Sequence, residues 1–364
     1  MKRNHKESVK EVQMSVCVDG LPLFSSSSTQ LWPILGLCWD NEVFLIALYC
    51  GSTKPTSVDA YLKEFVQESG LLLKNGLEIN ERHYKFSFKA FICDAPARAF
   101  LKCITARNAI NSCESCEVRV VSKYHRVVFL DNVARLRSQE KFNELLYPDH
   151  QNKVSLLQVL DLPLLHLFVL DYMHFVCLGV MRRLLTYLLS GPLNCRLSYP
   201  LRTRLSDSLM SLNGHFPSEF TRQPRSLTEL KRWKATELRL FLLYAGPVVL
   251  KRVMSDIAYT HFLSLHVAMT IFLKENDAFR TKFTAYASEL LEYFVQESQN
   301  VYSSTFPVYN VHSLVHLKED IEFMKCSLNE ISAFPFQNYL RTLKRLVRNA
   351  TNLIVRKWLE EKQR

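Results

Sequence analysis

The sequence predicts a mixed α/β protein with a strand-rich first part and a longer helical remainder. Between residues 14 and 100, short runs rich in β-branched and aromatic residues follow the order β-β-β-α-β. From about residue 132 onward, apolar residues recur at helical spacing and turn residues separate the runs. Hydrophobic residues make up 48% of the 364 residues and charged residues 22%, so a sizeable core can form.

The strand-rich part contains four strand runs and one helix. The strand runs are residues 14–18, 31–40, 42–50 and 85–93. Asp40 and Asn41 join the second and third runs, which predicts a hairpin there. The helix is predicted at residues 57–69, with Ser57 as its N-terminal cap and Gly70 just past its end.

The helical remainder shows no internal repeat, and the linkers between its predicted helices are short. The predicted helices are residues 132–146, 156–190, 201–212, 227–250, 259–275, 278–296, 309–323 and 336–362. The most apolar stretch, residues 154–191, is interrupted by charged residues such as Asp171 and Arg182. Because a bilayer requires about 20 uninterrupted apolar residues, this stretch is predicted to be a buried helix.

Composition also limits the function. Forty-six Lys and Arg residues against 35 Asp and Glu residues give a net charge of +11, which favours a polyanionic partner. Glycine-rich nucleotide-binding loops and a nucleophile elbow are missing from the sequence, so no nucleotide cofactor is expected. The charged N-terminal residues 1–11 lack the apolar stretch of a secretory signal. Since most of the ten cysteines lie singly in apolar runs, we expect an intracellular protein with reduced thiols and no membrane partner.

Two acidic residues follow predicted strands. Asp19 comes directly after the first run and Asp94 directly after the run at 85–93. Ligands gather at the carboxyl ends of strands in α/β sheets, and paired carboxylates there can hold two Mg²⁺ or Mn²⁺ ions for displacement at phosphorus. The alternative is that Asp19 is a turn residue before Gly20 and that Asp94 caps the helix opening at Pro96.

Six segments resemble the transposase domain of CACTA (En/Spm-like) DNA transposons and the cellular proteins derived from them. They lie in that family's order at residues 18–36, 91–103, 170–185, 222–250, 309–317 and 332–348. The resemblance implies a ribonuclease-H-like core, with Asp19 and Asp94 as catalytic, metal-binding residues. It also implies ancestral cleavage and transfer of DNA strands, double-stranded DNA as partner, and a nuclear location.

The same resemblance implies a domain organisation. A charged tail at 1–11 precedes the first part of the core at 12–105. A Cys-containing connector at 106–150 and a helical insertion at 151–325 follow, and residues 326–364 return to the core as a C-terminal helix. No zinc finger or helix-turn-helix precedes the first strand in this sequence, so sequence-specific recognition of transposon ends is expected to be missing.

The chain departs from the family pattern at its third catalytic position. The family motif F-x-F-E-N is here Phe334-Pro335-Phe336-Gln337-Asn338, so Gln337 stands where a glutamate is expected. An amide carries no charge and binds hard cations less well than a carboxylate. Glu330, the nearest acid, lies seven residues earlier, roughly 10 Å along a helix. We therefore expect an inactive transposase derivative; the alternatives are a DNA- or chromatin-binding domain and an oligomeric protein-interaction scaffold.

Cys113 and Cys116 have the C-x-x-C spacing of half a structural zinc site. The remaining ligands are left open by the sequence, and the histidines available are His125, His150, His166 and His174. A redox-active dithiol is the alternative for the same pair. His312 and His316 share a helix face at i, i+4, but without a nearby glutamate in an H-E-x-x-H pattern they are interpreted as packed polar residues.

Asp171 and His174 form a D-x-x-H pattern that is also found in this and related transposase families. Two interpretations stay open from the sequence. The pair lies near the active site or the DNA, or it is a buried hydrogen-bonded pair within a very apolar helix.

Two basic clusters are candidate DNA contacts. Arg341, Lys344, Arg345 and Arg348 fall on one stripe of the last predicted helix, directly after Gln337. The second cluster surrounds Trp233 and comprises Arg222, Arg225, Lys231, Arg232 and Lys234. A solvated helix face is the alternative for the first cluster.

Overall fold

The computed structural model describes residues 11–24, 28–38, 42–131 and 134–349, with side chains up to residue 347. The predicted charged tail therefore lies outside the described residues except for Glu11. The predicted turn at Asp40 and Asn41 and the end of the predicted helix at 336–362 also lie outside them.

The strands form one six-stranded mixed sheet and one separate hairpin. They are β1 (Glu11–Val18), β2 (Leu21–Pro22), β3 (Gln30–Leu37), β4 (Val43–Gly51), β5 (Leu77–Ile79), β6 (Arg82–Phe91), β7 (Val121–Lys123) and β8 (Arg126–Val128). Four of these strands coincide with the four predicted runs to within a few residues, and the helix lies between the third and fourth runs as predicted. The short strands β2 and β5 extend the sheet and were not predicted.

Strand β1 lies between β3 and β6 in the sheet. β1, β3 and β4 are antiparallel neighbours, with Ser15 opposite Leu37 and Trp32 opposite Tyr49. β6 lies on the other side of β1 and runs parallel to it, with Val16 opposite Phe91. The carboxyl ends of β1 and β6 therefore meet at the same edge of the sheet.

The α-helices are α1 (Val58–Asn75), α2 (Ala95–Lys102), α3 (Gln139–Asn143), α4 (Leu164–Leu167), α5 (Arg182–Ser190), α6 (Tyr199–Met210), α7 (Ala235–Leu240), α8 (Gly246–Val249), α9 (Asp256–Phe272), α10 (Asp277–Val301), α11 (Tyr309–His312), α12 (Leu317–Met324) and α13 (Phe334–Asn349). Shorter 3₁₀ turns span Leu156–Leu160, Leu227–Arg232, Leu250–Arg252 and Ser313–His316, and π-helical turns span Met173–Met181 and Phe241–Ala245. The mixed α/β class predicted from the sequence is confirmed. Among the described helices, none combines the length and the apolar character that crossing a membrane requires.

The chain divides into two compact units. The first unit comprises the described residues of Met1–Ile104, Asn143–Val169 and Ala333–Arg364, and the second comprises those of Thr105–Phe142 and Leu170–Ser332. Residues 143–169, which the sequence analysis divides between the connector and the insertion, lie in the first unit.

In the first unit, the segment after α4 adds to the sheet beside β6. Phe168 forms a parallel bridge with Phe91, and their rings stack with centroids 4.7 Å apart. The buried Arg98 of α2 donates to the carbonyl oxygen of Val169 at 2.9 Å, which fixes this segment against the helix. A continuous helix at 156–190 was therefore a wrong prediction, because the chain is extended at Phe168.

In the second unit, α9 and α10 pack along each other and enclose apolar side chains such as Phe262 and Leu291. The predicted helix at 132–146 is mostly wrong, since α3 covers only Gln139–Asn143. The residues just before α3 instead pair with the C-x-x-C loop, where Cys116 forms an antiparallel bridge with Leu136.

Candidate functional site

Four buried side chains meet in the second unit. Cys113, Cys116, His312 and His316 offer one ligand atom each, and these four atoms all lie within 4.8 Å of one another. The two sulfur atoms are 3.4 Å apart. The Nε2 atom of His316 lies 3.5 Å from the Cys113 sulfur, and that of His312 lies 3.3 Å from the Cys116 sulfur.

The loop that carries the two cysteines is held by backbone pairing. The amide of Glu117 donates to the Arg135 carbonyl at 2.8 Å, and the amide of Arg137 donates to the Ser115 carbonyl at 2.9 Å. The Arg137 side chain also donates to the Cys113 carbonyl at 3.1 Å. These bonds hold the backbone of the loop from which both sulfur atoms project.

The two histidines are placed by consecutive short helices. His312 ends α11 and His316 ends the 3₁₀ turn Ser313–His316, so the four-residue spacing brings both rings to one face. The ring of Phe129 stacks on His312 with centroids 4.7 Å apart and an angle of 16°. This contact orients the imidazole toward the cysteines.

The donor set fits a structural zinc ion. A tetrahedral site with Zn–S bonds of about 2.3 Å and Zn–N bonds of about 2.0 Å places neighbouring ligand atoms roughly 3.3 to 3.8 Å apart. The contacts of 3.3, 3.4 and 3.5 Å fall within this range. Four protein ligands leave no open position for substrate, so this is the geometry of a structural site.

Electrostatics at the cluster favour a deprotonated sulfur. The hydrogen bond between Cys116 and Cys113 lowers the pKa of the Cys116 thiol, although burial opposes this effect. Burial alone would lower the pKa of His316, but its hydrogen bond to Cys113 and the nearby Glu319 and Asp320 raise the pKa overall. A thiolate is the form of cysteine that binds zinc.

The structure confirms that Cys113 and Cys116 meet further ligands, and it corrects which ones. The partners are His312 and His316, which were interpreted from the sequence as packed polar residues and which the fold brings to the two sulfur atoms. The four candidates His125, His150, His166 and His174 do not belong to the cluster. The signal in the sequence was the combination of C-x-x-C with H-x-x-x-H, which matches a Cys₂His₂ pattern when the two halves are considered together.

A second group of polar residues lies in the first unit, at the carboxyl ends of β1 and β6. Asp19 directly follows β1, and Asp94 follows β6 as the N-terminal cap of α2, where it accepts from the Ala97 amide at 2.8 Å. Gln337 in the first turn of α13 reaches the same edge, and its Nε2 atom lies 2.5 Å from Oδ2 of Asp19.

The contact between Gln337 and Asp19 has a defined polarity. An amide oxygen and a carboxylate oxygen would repel at this distance, so the amide nitrogen must face Asp19 and donate to it. Asp94 also uses one carboxylate oxygen for its cap. Each of the two carboxylates thus accepts from an N–H group, and Gln337 adds no third negative charge beside them.

Glu330, the nearest acid to Gln337 in the sequence, makes a local contact in the second unit. Its carboxylate accepts from the amide of Ser327 at 3.0 Å and lies 3.3 Å from that residue's hydroxyl. Glu330 therefore closes a local turn in the second unit.

Asp171 and His174 form the hydrogen-bonded pair that was one of the two interpretations of this motif. Oδ2 of Asp171 lies 2.6 Å from Nδ1 of His174, and the carboxylate also accepts from the amides of Met173 and His174. Asp171 is buried while the His174 side chain is 22% exposed. The pair thus begins the π-helical turn at Met173–Met181.

The two basic clusters are only partly available to a ligand. On α13, Arg341 and Arg345 are exposed, whereas Lys344 donates to the Pro22 carbonyl; the side chain of Arg348 lies outside the described residues. In the second cluster, Arg225 forms ion pairs with Glu237 and Glu229. The remaining members, Arg222, Lys231, Arg232 and Lys234, are exposed.

Comparison with known proteins adds no assignment. No protein-family model matches the sequence, and no curated protein matches it.

Proposed function

We propose that the chain is a DNA-binding protein derived from a ribonuclease-H-like DNA transposase and that its strand-cleavage site is closed. The observation that carries this proposal is the hydrogen bond from Gln337 to Asp19 at the shared edge of β1 and β6. The strand order supports the fold assignment. Three antiparallel strands, a helix and a strand parallel to the first are the arrangement expected of that core.

The closed site follows from the charges that meet there. A glutamate at position 337 would add a third carboxylate, and three carboxylates suit two divalent cations. The uncharged amide of Gln337 cannot neutralise the positive charge of two divalent cations. It instead donates to Oδ2 of Asp19, an oxygen that would otherwise be available as a metal ligand. The resemblance to CACTA transposases supplies the expectation of an acid at this position, and this chain departs from it.

Binding of double-stranded DNA is supported by charge. Arg341 and Arg345 follow Gln337 by one and two helical turns, are both exposed, and lie on one face of α13. The net charge of +11 favours polyanionic partners whatever their base sequence. The proposed binding is therefore electrostatic and tolerant of sequence.

Zinc at the cluster of Cys113, Cys116, His312 and His316 has a structural role in this proposal. When bound, the ion would join the loop at residues 113–116 to the helical segment at 309–316. It would take no part in DNA chemistry, because all four ligand positions come from the protein.

A charge-reversal experiment tests the proposed DNA binding. Arg341→Glu together with Arg345→Glu should weaken binding to a duplex and reduce the slope of log K against log salt by about 2, since each phosphate contact contributes about 0.9. The matched control is Lys63→Glu with Lys74→Glu, which reverses two exposed charges on α1. Equal effects of the two double variants would contradict a DNA contact at α13.

A further inference from the structure

The hairpin of β7 and β8 carries a bulky turn that its backbone does not favour. Lys123 pairs with Arg126, so Tyr124 and His125 alone form the turn. Both have positive φ angles, 50° and 57°. A two-residue turn with this geometry is of the type that favours Asn-Gly, because residues with a Cβ atom, and large ones above all, are strained in the left-handed region.

Packing within the described residues does not explain the choice of tyrosine. Tyr124 is 77% exposed, and its ring and hydroxyl make no ring contact or hydrogen bond with the described residues. A tyrosine kept in the left-handed region without a packing role points to a functional reason for its choice.

The surroundings of Tyr124 are positively charged. Arg119 and Arg126 are exposed and Lys123 is half-buried, and residues 118–128 contain no acidic residue, with the exposed Glu117 the nearest acid in the sequence. Arg126 is steadied by donating to the Tyr187 hydroxyl at 3.5 Å. The tip of the hairpin thus presents an aromatic ring between cationic side chains.

The base of the hairpin is attached to the Cys₂His₂ cluster. Cys116 precedes β7 by five residues, and Phe129, which directly follows β8, stacks on His312. The Phe129 amide also donates to the Pro307 carbonyl at 2.7 Å. Both ends of the hairpin thus lie close in the chain to members or contacts of the Cys₂His₂ cluster.

We propose that this hairpin binds single-stranded DNA, with an unpaired base stacked on Tyr124 and the phosphates beside Arg119, Lys123 and Arg126. Only an unpaired base offers its whole face to a ring on a convex tip, and aromatic rings among basic residues are the usual means of binding single strands. The inference rests on the proposed function, because it assigns a second kind of DNA contact to a DNA-binding protein.

The test replaces the turn with the sequence that its backbone favours. Tyr124→Asn with His125→Gly suits the positive φ angles, so the hairpin should keep its fold and the protein its zinc content and thermal midpoint. Binding of a fluorescent oligo-dT should weaken about tenfold, since one stacked base contributes roughly this much or more. Tyr124→Phe keeps the ring and should retain the affinity, and Tyr199→Ala removes another exposed tyrosine and should leave it unchanged.

The outcomes separate this inference from the proposed function. If the native chain binds duplex DNA but the turn variant binds oligo-dT as tightly as the native chain, the hairpin inference is wrong and the proposed function stands. If an acidic peptide of equal charge binds the native hairpin more tightly than oligo-dT, the hairpin inference is also wrong. If the native chain binds neither duplex nor single strand, both proposals fail.

Discussion

Gln337 contacts Asp19 through its amide nitrogen, and from this contact we predict how a substitution at Gln337 changes stability with and without divalent cations. Gln337→Glu replaces the donor by a second carboxylate at hydrogen-bond distance, so the two like charges should repel. We expect the variant to have a lower thermal midpoint than the native chain in the absence of divalent cations. Excess Mn²⁺ should raise the midpoint of the variant more than that of the native chain.

The control for this comparison is Gln337→Asn, which shortens the side chain without adding charge. Its midpoint should respond to Mn²⁺ as the native midpoint does. Equal stabilisation of the native chain and the glutamate variant by Mn²⁺ would show that the amide does not exclude the cation.

The buried His261 should make the stability of the second unit depend on pH. It is fully buried, its Nε2 donates to the Phe294 carbonyl at 2.8 Å, and burial lowers its pKa to about 4. In the unfolded chain the imidazole has a pKa near 6.5, so the unfolded state takes up a proton first as the pH falls. Stability present above pH 6.5 should therefore be lost between pH 6.5 and about 4, by roughly 3 kcal/mol.

Denaturant midpoints across this pH range test the prediction. His261→Phe should lose part of the native stability at pH 7 but show a shallower decline toward pH 4. His215→Phe, at an exposed position, should follow the native pH dependence. Parallel curves for the native chain and His261→Phe would contradict the assignment of this acid sensitivity to His261.

At the scale of elements, the Cys₂His₂ cluster should hold one zinc ion per chain. Cys113→Ser with Cys116→Ser should abolish the bound zinc and lower the thermal midpoint by roughly 10 °C, because structural zinc contributes directly to folding. A chelator should lower the midpoint of the native chain and leave that of the variant unchanged. Metal analysis of the purified proteins gives the zinc content.

Cys195→Ser serves as the control, because Cys195 is a half-buried thiol of the same unit that lies outside the cluster. It should keep the full zinc content. Native protein that folds without zinc and is insensitive to chelator would show that the four side chains only pack against one another.

Two glycines, one inside helix α1 and one at its end, should respond to alanine substitution with stability changes of opposite sign. Gly70 lies inside the helix, and a Cβ atom there would meet only Leu160 at 3.7 Å, an ordinary contact. Gly70→Ala should therefore raise the free energy of unfolding by about 0.5 to 1 kcal/mol. Gly76 ends the helix with φ of 69°, and a Cβ atom there would clash with the Tyr84 carbonyl, so Gly76→Ala should destabilise the protein. Denaturant titrations that gave both variants the same sign would contradict this account of the helix end.

The same helix shows why some boundaries could be predicted and others could not. Gly70 is a common end signal, but α1 continues to Asn75 because its apolar face still packs against the turn Leu156–Leu160. The sheet strands were predicted well, since their burial follows from their own side chains. Phe168 was assigned to a helix because an apolar run alone does not distinguish a buried helix from a strand that pairs with Phe91.

Only the two cysteines of the Cys₂His₂ cluster could be predicted as ligands from the sequence, because the histidines lie far from them in the chain. The spacing of Cys113 and Cys116 is local and visible in the sequence, whereas His312 comes 196 residues after Cys116. Only the fold brings them together. The contact between Gln337 and Asp19, 318 residues apart, likewise needed the packing of α13 to be known, although the missing acid itself was visible in the sequence.

At the scale of the whole molecule, both units are assembled from distant parts of the chain. The first unit takes residues from three segments, and the second from two. A zinc ion at the cluster would close a loop of about 200 residues between Cys116 and His312, which restricts the unfolded chain more than a short loop would. We therefore expect the cluster to contribute stability and the exposed basic side chains to contact DNA.

Incubating supercoiled plasmid with the native chain in Mg²⁺ or Mn²⁺ tests most directly our proposal that the strand-cleavage site is closed. We predict no detectable nicking or strand transfer, since losing one directly acting group already costs about 10²- to 10³-fold in rate. Gln337→Glu should restore cation binding and should nick the plasmid weakly. Robust Mg²⁺-dependent cleavage by the native chain, abolished by Asp94→Asn, would contradict the account.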